Sequence, residues 1–239
     1  MAAGSFSRWP GPIVLAAVKD PELTRRHADI VRREYRAVGM HAALHPQADL
    51  ATEPRWSQIS GTFGEDAQSA AATVLTSGEA GVGSLPLTRR LKVYAEVATV
   101  VPTPEEADVA LLRLQAPYEQ RSGTFEMFFH AGSLEFDDET VDHVRSVATI
   151  VPTMVDVFLD RPAVLTPVAE TAASLVASFG ASDRALLRVL FCERPAEGTL
   201  PFDVPRTMES VTAGQSDVPF DSVDPLFRFG HGIRLDEGS

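Results

Sequence analysis

An open, mostly parallel α/β sheet with helices on both faces, preceded by a smaller strand–helix–strand unit, is the fold class this sequence predicts. Three observations predict it. Short apolar runs alternate with segments of helical spacing, the pattern of parallel strands joined by crossover helices. Near the N-terminus a well-capped helix stands between two such runs. A glycine- and serine-rich stretch then separates that unit from the rest.

The elements follow in order. PIVLAAV (12–18) reads as a short buried strand. Asp20 is placed to cap a helix that has Pro21 at its first position, and Leu23, Ile30, Val31, Tyr35 and Val38 recur at helical spacing. Gly39 is a natural stop. MHAALHP (40–46) is a second strand candidate, so residues 12–50 form a βαβ unit with a right-handed crossover. Residues 67–84 are a small-residue helix fading into a Gly/Ser linker.

Beyond the linker, RRLKVYAEV (89–97) and ADVALLRL (107–114) are strand candidates. DDETVDHVRSVAT (137–149) is an amphipathic helix with acids in its first turn, which suits the helix dipole. IVPTMVDVFLD reads as a strand and PVAETAASLVASFG as a helix ended by Gly180. RALLRVLF fits a strand or a helix starting from Ser182. EGTLPFDVP and DPLFRFGHGIR are irregular or short edge strands, because proline cannot join a central ladder. The expected organisation is therefore 1–68, a linker over 69–84, and a larger domain over 85–239.

The 239 residues are 44% hydrophobic and 23% charged, enough apolar content for a sizeable core. The formal net charge of -12 argues against a nucleic-acid-binding protein, whose affinity comes largely from a basic surface. The single cysteine, Cys192, excludes an intrachain disulfide and reads as a small buried residue at a strand end. The N-terminal stretch lacks the basic start and long apolar run of a secretory leader, so a cytoplasmic location is expected, with no membrane association. GEAGVGS neither follows a strand nor opens a helix, which removes the context a phosphate loop needs. His41, His45, Asp49 and Glu53 fall at four-residue intervals, but Pro46 breaks the helix that would align them on a metal. No cofactor is expected.

Two blocks carry a family resemblance. EYRAVGMHAALHPQADLATEPRWSQISGTFGEDA, within roughly residues 6–68, resembles the sugar-binding part of the barrel domain of glycoside hydrolase family 3, the β-glucosidase family. ADVALLRLQAPYEQRSGTFEMFFHAGSLEF, LFCERPAEGTLPFDVPR and DPLFRFGHGI, within roughly 85–239, resemble its C-terminal α/β sandwich domain. The resemblance implies a (β/α)₈ barrel followed by the sandwich, with a sugar bound between them. Such a barrel takes about 250 residues, so the N-terminal unit reads as a βαβ remnant of one.

The resemblance also implies site residues. Retaining glycosidases use two carboxyl groups about 5 Å apart. Glu119, in YEQR after a strand, is the candidate acid/base, with Glu126 or Glu135 as alternatives. Asp49, Arg55, Trp56 and Arg121 are implied sugar contacts, and Gln58 stands where relatives carry a second arginine, which removes a bidentate donor. The segment between Ala67 and Leu85 cannot supply the family's nucleophile strand, and its Lys-His pair has no counterpart.

The residues alone read more plainly. Arg55 can pair with Glu53, Glu65 or Asp66, Trp56 and Phe125, Phe128 and Phe129 can be core, and His130 and His231 can be structural. The nominal function is hydrolysis of terminal β-glucosidic bonds, impaired by the missing nucleophile strand. The alternatives are a repurposed enzyme with a pocket between remnant and sandwich, or a non-catalytic binding or oligomerisation module. The expected partners are a small sugar or glycoside-like ligand and a second copy of the chain in a homodimer.

Overall fold

The computed structural model describes residues 6–40, 49–68, 70, 91–119 and 130–233. Its centre is a three-stranded parallel sheet in the order β1-β2-β3. The strands are β1 (Ala110–Gln115), β2 (Thr153–Phe158) and β3 (Ser174–Ser178). The register pairs Leu112 with Val155, Arg113 with Asp156 and Leu114 with Val157. Among the described residues the α-helices whose bounds are defined are α1 (Pro12–Val18), α2 (Pro21–Ala37), α3 (Leu91–Tyr94), α4 (Asp138–Ala148), α5 (Thr166–Ala169), α6 (Asp183–Leu190) and α7 (Met208–Ala213).

Strand alternation sorts the sheet into two faces. Leu112, Leu114, Val155 and Val157 share one core with Val144 of α4 and Val168 of α5. Arg113 and Asp156 take the other face, where the guanidinium reaches Asp156 at 2.7 Å and Asp183, the first residue of α6, at 2.5 Å. Its Nη1 also lies 3.5 Å from the Tyr94 hydroxyl of α3. Helices thus flank both faces. Burial pushes the Asp156 carboxyl up from its ordinary value, and the Arg113 guanidinium opposes that push.

The crossover helix α4 forms as its sequence dictates. Asp137 caps it by accepting from the Thr140 N–H at 2.8 Å, and Val141, Val144 and Val147 bury one stripe. Helix α2 is capped by Asp20, which accepts from the amides of Glu22 and Leu23, and the chain leaves it through Gly39 at φ 82°.

Several expectations are corrected. Residues 12–18 form helix α1, not a strand, so no strand opens a βαβ unit there among the described residues. A seven-residue apolar run carries no period that separates strand from helix. Pro12 sets the first turn, and Lys19 closes the last in the left-handed region, with its N–H on the Leu15 carbonyl at 3.1 Å. The second strand candidate, MHAALHP, lies outside the described residues except for Met40. Within 89–97 the described part holds the helical turn α3 rather than a strand.

PVAETAASLVASFG divides into the single turn α5 and strand β3. Alanine's helix propensity is worth only tenths of a kcal/mol per residue, ~0.7 at most against ordinary residues. The open edge of β2 offers a full ladder instead, running from Met154↔Ser174 to Phe158↔Ser178. RALLRVLF is helical, capped by the Ser182 hydroxyl. Cys192 is exposed, at φ 57° just past α6, rather than buried at a strand end.

The N-terminal segment packs on this frame. Ile13, Ala51 and Ile59 enter the main core beside Leu200, Phe202 and Val204. Gly64, at φ 91°, lets the chain pass so close to Pro201 that a Cβ there would lie 2.6 Å from its carbonyl oxygen. The tail folds back through an antiparallel bridge between Val204 and Phe227 and through the Leu200 N–H on the His231 carbonyl at 2.8 Å.

Candidate functional site

In an open parallel sheet, ligands bind beyond the carboxyl ends of the strands. Here the chain leaving β1 carries Gln115, Pro117, Tyr118 and Glu119, and the chain leaving β2 carries Asp160 and Arg161. These two exits meet a third segment, 130–133.

Arg161 organises the meeting. It is 1% exposed. Its guanidinium donates to the Pro117 carbonyl from both Nε, at 3.1 Å, and Nη2. Nη2 also reaches the Ser133 carbonyl at 2.6 Å, and Nη1 lies 3.3 Å from the Gly132 carbonyl and 3.5 Å from that of Arg55. Burial pulls Arg161 below the ordinary arginine value, opposed by the charges of Asp160 and Glu119. An arginine nonetheless keeps its proton in a protein.

Glu119 sits on this platform. Its N–H donates to the Ala131 carbonyl at 2.8 Å, and its Oε1 accepts from the Ser133 N–H at 3.0 Å. Gly132, at φ 88°, is required beneath it, because a Cβ there would stand 2.2 Å from the Glu119 Cδ. Beside it the Tyr118 ring stacks on the His130 ring, with centroids 3.8 Å apart and planes 12° apart. His130 Nδ1 bonds Asp160 Oδ2, and the Gln115 side chain lies 3.5 Å from the same nitrogen. The cluster therefore offers one carboxylate held on a backbone amide, an imidazole–carboxylate pair, and an aromatic ring.

The sequence-derived residues divide. Glu119 stands in the cluster. Arg55 reaches it by its carbonyl, but its side chain is bound to Glu53, with Nε and Nη2 each 2.7 Å from that carboxylate. The Arg55 guanidinium in turn holds the Glu53 carboxyl below its ordinary value. Trp56 is half-buried against the main core, Gln58 is half-buried beside the turn Ile59–Gly61, and Asp49 is exposed. Arg121, Glu126, Phe125, Phe128 and Phe129 lie outside the described residues, as do His41 and His45. Glu135 is exposed and bridges to Val164. His231 stacks on Phe227 at 4.8 Å, a packing contact.

Sequence reasoning did not single out Arg161, Asp160 or Tyr118 as site residues, and it read His130 as structural. A charged pair directly after a buried parallel strand, Asp160-Arg161, was the available signal. A separate shallow cleft is lined by Thr52, Glu53, Pro54, Gln215, Ser216 and Asp221, and neither Glu119 nor His130 lines it.

Comparison with known proteins places the chain. Residues 39–235 match the model of the glycosyl hydrolase family 3 C-terminal domain. β-Glucosidase C of Emericella nidulans is 50% identical over 139 residues, 58% of this chain and 22% of its own length. The periplasmic β-glucosidase/β-xylosidase of Dickeya chrysanthemi is 34% identical over 247 residues, 92% of this chain and 36% of its own. The chain thus spans about a fifth to just over a third of the length of these relatives. The solved β-glucosidase of Listeria innocua in complex with isofagomine aligns over 53% of this chain and 20% of its own at 20% identity, with a TM-score of 0.40.

Proposed function

The chain belongs to glycosyl hydrolase family 3, and on that premise we propose that it handles terminal β-glucosides, with Glu119 as the acid/base carboxyl. One observation carries the proposal: Glu119 stands beyond the carboxyl end of β1, its carboxylate fixed by the Ser133 amide over Gly132. An acid/base group has to be positioned before its pKa matters. Its role is to give a proton to the departing glycosidic oxygen and to take one from the incoming water.

No second carboxyl for such a reaction is assigned among the described residues. The curated relatives are named as β-glucosidases and one also as a β-xylosidase, which supports a pyranoside ligand. The occupied Arg55 side chain favours a second reading, in which the chain binds such a ligand without cleaving it. Release of nitrophenol from an aryl β-glucoside, compared between the chain and Glu119→Gln, separates the two. Turnover lost in the variant supports the acid role. Equal turnover in both removes Glu119 from it.

A homodimer and a cytoplasmic location belong to the same proposal. The apolar residues Val97, Val100, Val109 and Ile150 are exposed and suit a protein partner. A monomer at micromolar concentration in light scattering would contradict the dimer, and recovery in an exported fraction would contradict the location.

A further inference from the structure

We propose that two copies of this chain dock by seating the C-terminal end of α2 from one on the amino end of the sheet of the other. The inference rests on the dimer reading above and names the two surfaces that meet.

The amino end of the sheet is apolar and acidic. Val109 stands just before β1 and Ile150 shortly before β2, and the two strands pair from Ala110↔Thr153 onward. Both side chains are exposed, Ile150 at 48%. The stretch that leads into β1 carries Glu105, Glu106 and Asp108, all exposed, and none of them has an ion pair among the described residues. From Ala98 to Ala110 the sequence holds no lysine or arginine to offset them.

The C-terminal end of α2 is apolar and basic. Over 32–40 the arginines Arg32, Arg33 and Arg36 stand against a single acid, Glu34. Arg32 and Arg33 share one carboxylate, Asp29, and Glu34 accepts from the Ser7 N–H. Arg36 is exposed and has no ion pair among the described residues. Val38 and Met40 follow at the same end, Val38 at 55% exposed.

Each surface thus joins a small apolar spot to charges of one sign, the makings of an interface core and its rim. Both are uncovered within the single chain, so neither serves as the other's cover in the same molecule. A net charge of -12 makes two copies repel at long range. A contact between them therefore forms where an arginine-bearing surface meets an acidic one. Two sheet ends would repel each other, and so would two α2 ends. In a two-fold dimer the matched contact occurs twice.

The test is sedimentation equilibrium of the full chain and of two reversal variants, Arg33→Glu with Arg36→Glu and Glu105→Arg with Glu106→Arg. Each variant alone is expected to dimerise at least about tenfold more weakly than the parent. An equimolar mixture of the two is expected to regain parent-like dimerisation, because every contact in the mixed dimer again joins opposite charges. Parent-like dimers from either variant alone, or no recovery in a mixture of folded variants, overturn the docking and leave the dimer reading standing. Salt supplies a measurement that needs no variant. The parent dimer is expected to weaken between about 0.1 M and about 1 M salt, as the screening length falls from about 10 Å to about 3 Å. A dimer unchanged by salt overturns the docking and assigns the contact to apolar residues alone. A parent chain that stays monomeric throughout overturns the dimer reading and the docking with it.

Discussion

Two buried arginines sit at opposite extremes of the same sheet region. Arg113, inside β1, is paired with carboxylates: Asp156 at 2.7 Å and Asp183 at 2.5 Å. Arg161, just past β2, is bonded to neutral carbonyls of Pro117, Gly132 and Ser133. Both are almost fully excluded from water. The first arginine is neutralised where it lies and ties α3 and α6 to the sheet. The second keeps its charge for its surroundings, and the carboxylates nearest to it, Asp160 and Glu119, are bound by an imidazole and an amide instead. A buried charge matched locally is architecture, whereas one held mainly by backbone dipoles organises the loops that supply them.

The comparison can be broken most severely at Arg113. Arg113→Met leaves two buried carboxylates without their counter-ion, and removing one partner of a buried pair costs about 3–5 kcal/mol. Urea unfolding should show the loss. A change below about 1 kcal/mol would mean that Asp156 and Asp183 are taken up by protons or water at little cost.

Arg161→Lys comes next. A lysine keeps the charge but cannot fork to carbonyls in several directions. Each buried carbonyl left unpaired costs about 1–3 kcal/mol. The expected signature is faster amide exchange at Glu119 and Ser133, whose N–H groups are bonded within this platform, with the sheet amides unaffected. Uniform acceleration across the sheet would contradict a local, loop-organising role.

The contrast sharpens with pH at Glu65, a third buried charge, which accepts from the amides of Asp203 at 2.9 Å and Phe220 at 2.6 Å. Burial raises its pKa above the ordinary glutamate value, reinforced by Asp203 and Asp221 and opposed by the two amides. Its folded pKa exceeds its unfolded one, so the folded state holds more protons between the two values. Its contribution to stability is present below the ordinary value and is lost as pH rises through the raised value. Stability curves of the chain and of Glu65→Gln should diverge across that window, and parallel curves would contradict the assignment.

The smallest effect belongs to Arg55. Its ion pair with Glu53 is partly exposed, and such pairs are worth about 0.2–1 kcal/mol. Arg55→Ala should therefore barely alter thermal unfolding. A large loss would mean that the 49–68 stretch depends on that side chain rather than on the Arg55 carbonyl.

What was legible in the sequence follows from physical scale. Strands β1 and β2 and helix α4 carry strong patterns and their own caps, such as Asp137 on Thr140, and they read correctly. Helix α1 and strand β3 did not, because PIVLAAV and SLVAS are too short to carry a period and are decided by what they pack on. The site followed the same division. Glu119 was singled out through the family resemblance of the YEQR stretch, whereas Arg161 matters because residues 55, 117, 132 and 133, far apart in sequence, turn their carbonyls to it. Convergence of that kind leaves no local trace.

The most direct test of the central claim, that the carboxyl end of the sheet is the ligand site, is to map phenyl 1-thio-β-glucoside on the isotopically labelled chain by amide chemical-shift changes. The account predicts the largest changes at Tyr118, Glu119, His130 and Ser133. Changes centred instead on Thr52, Gln215 and Ser216 would place the ligand in the other cleft and contradict it.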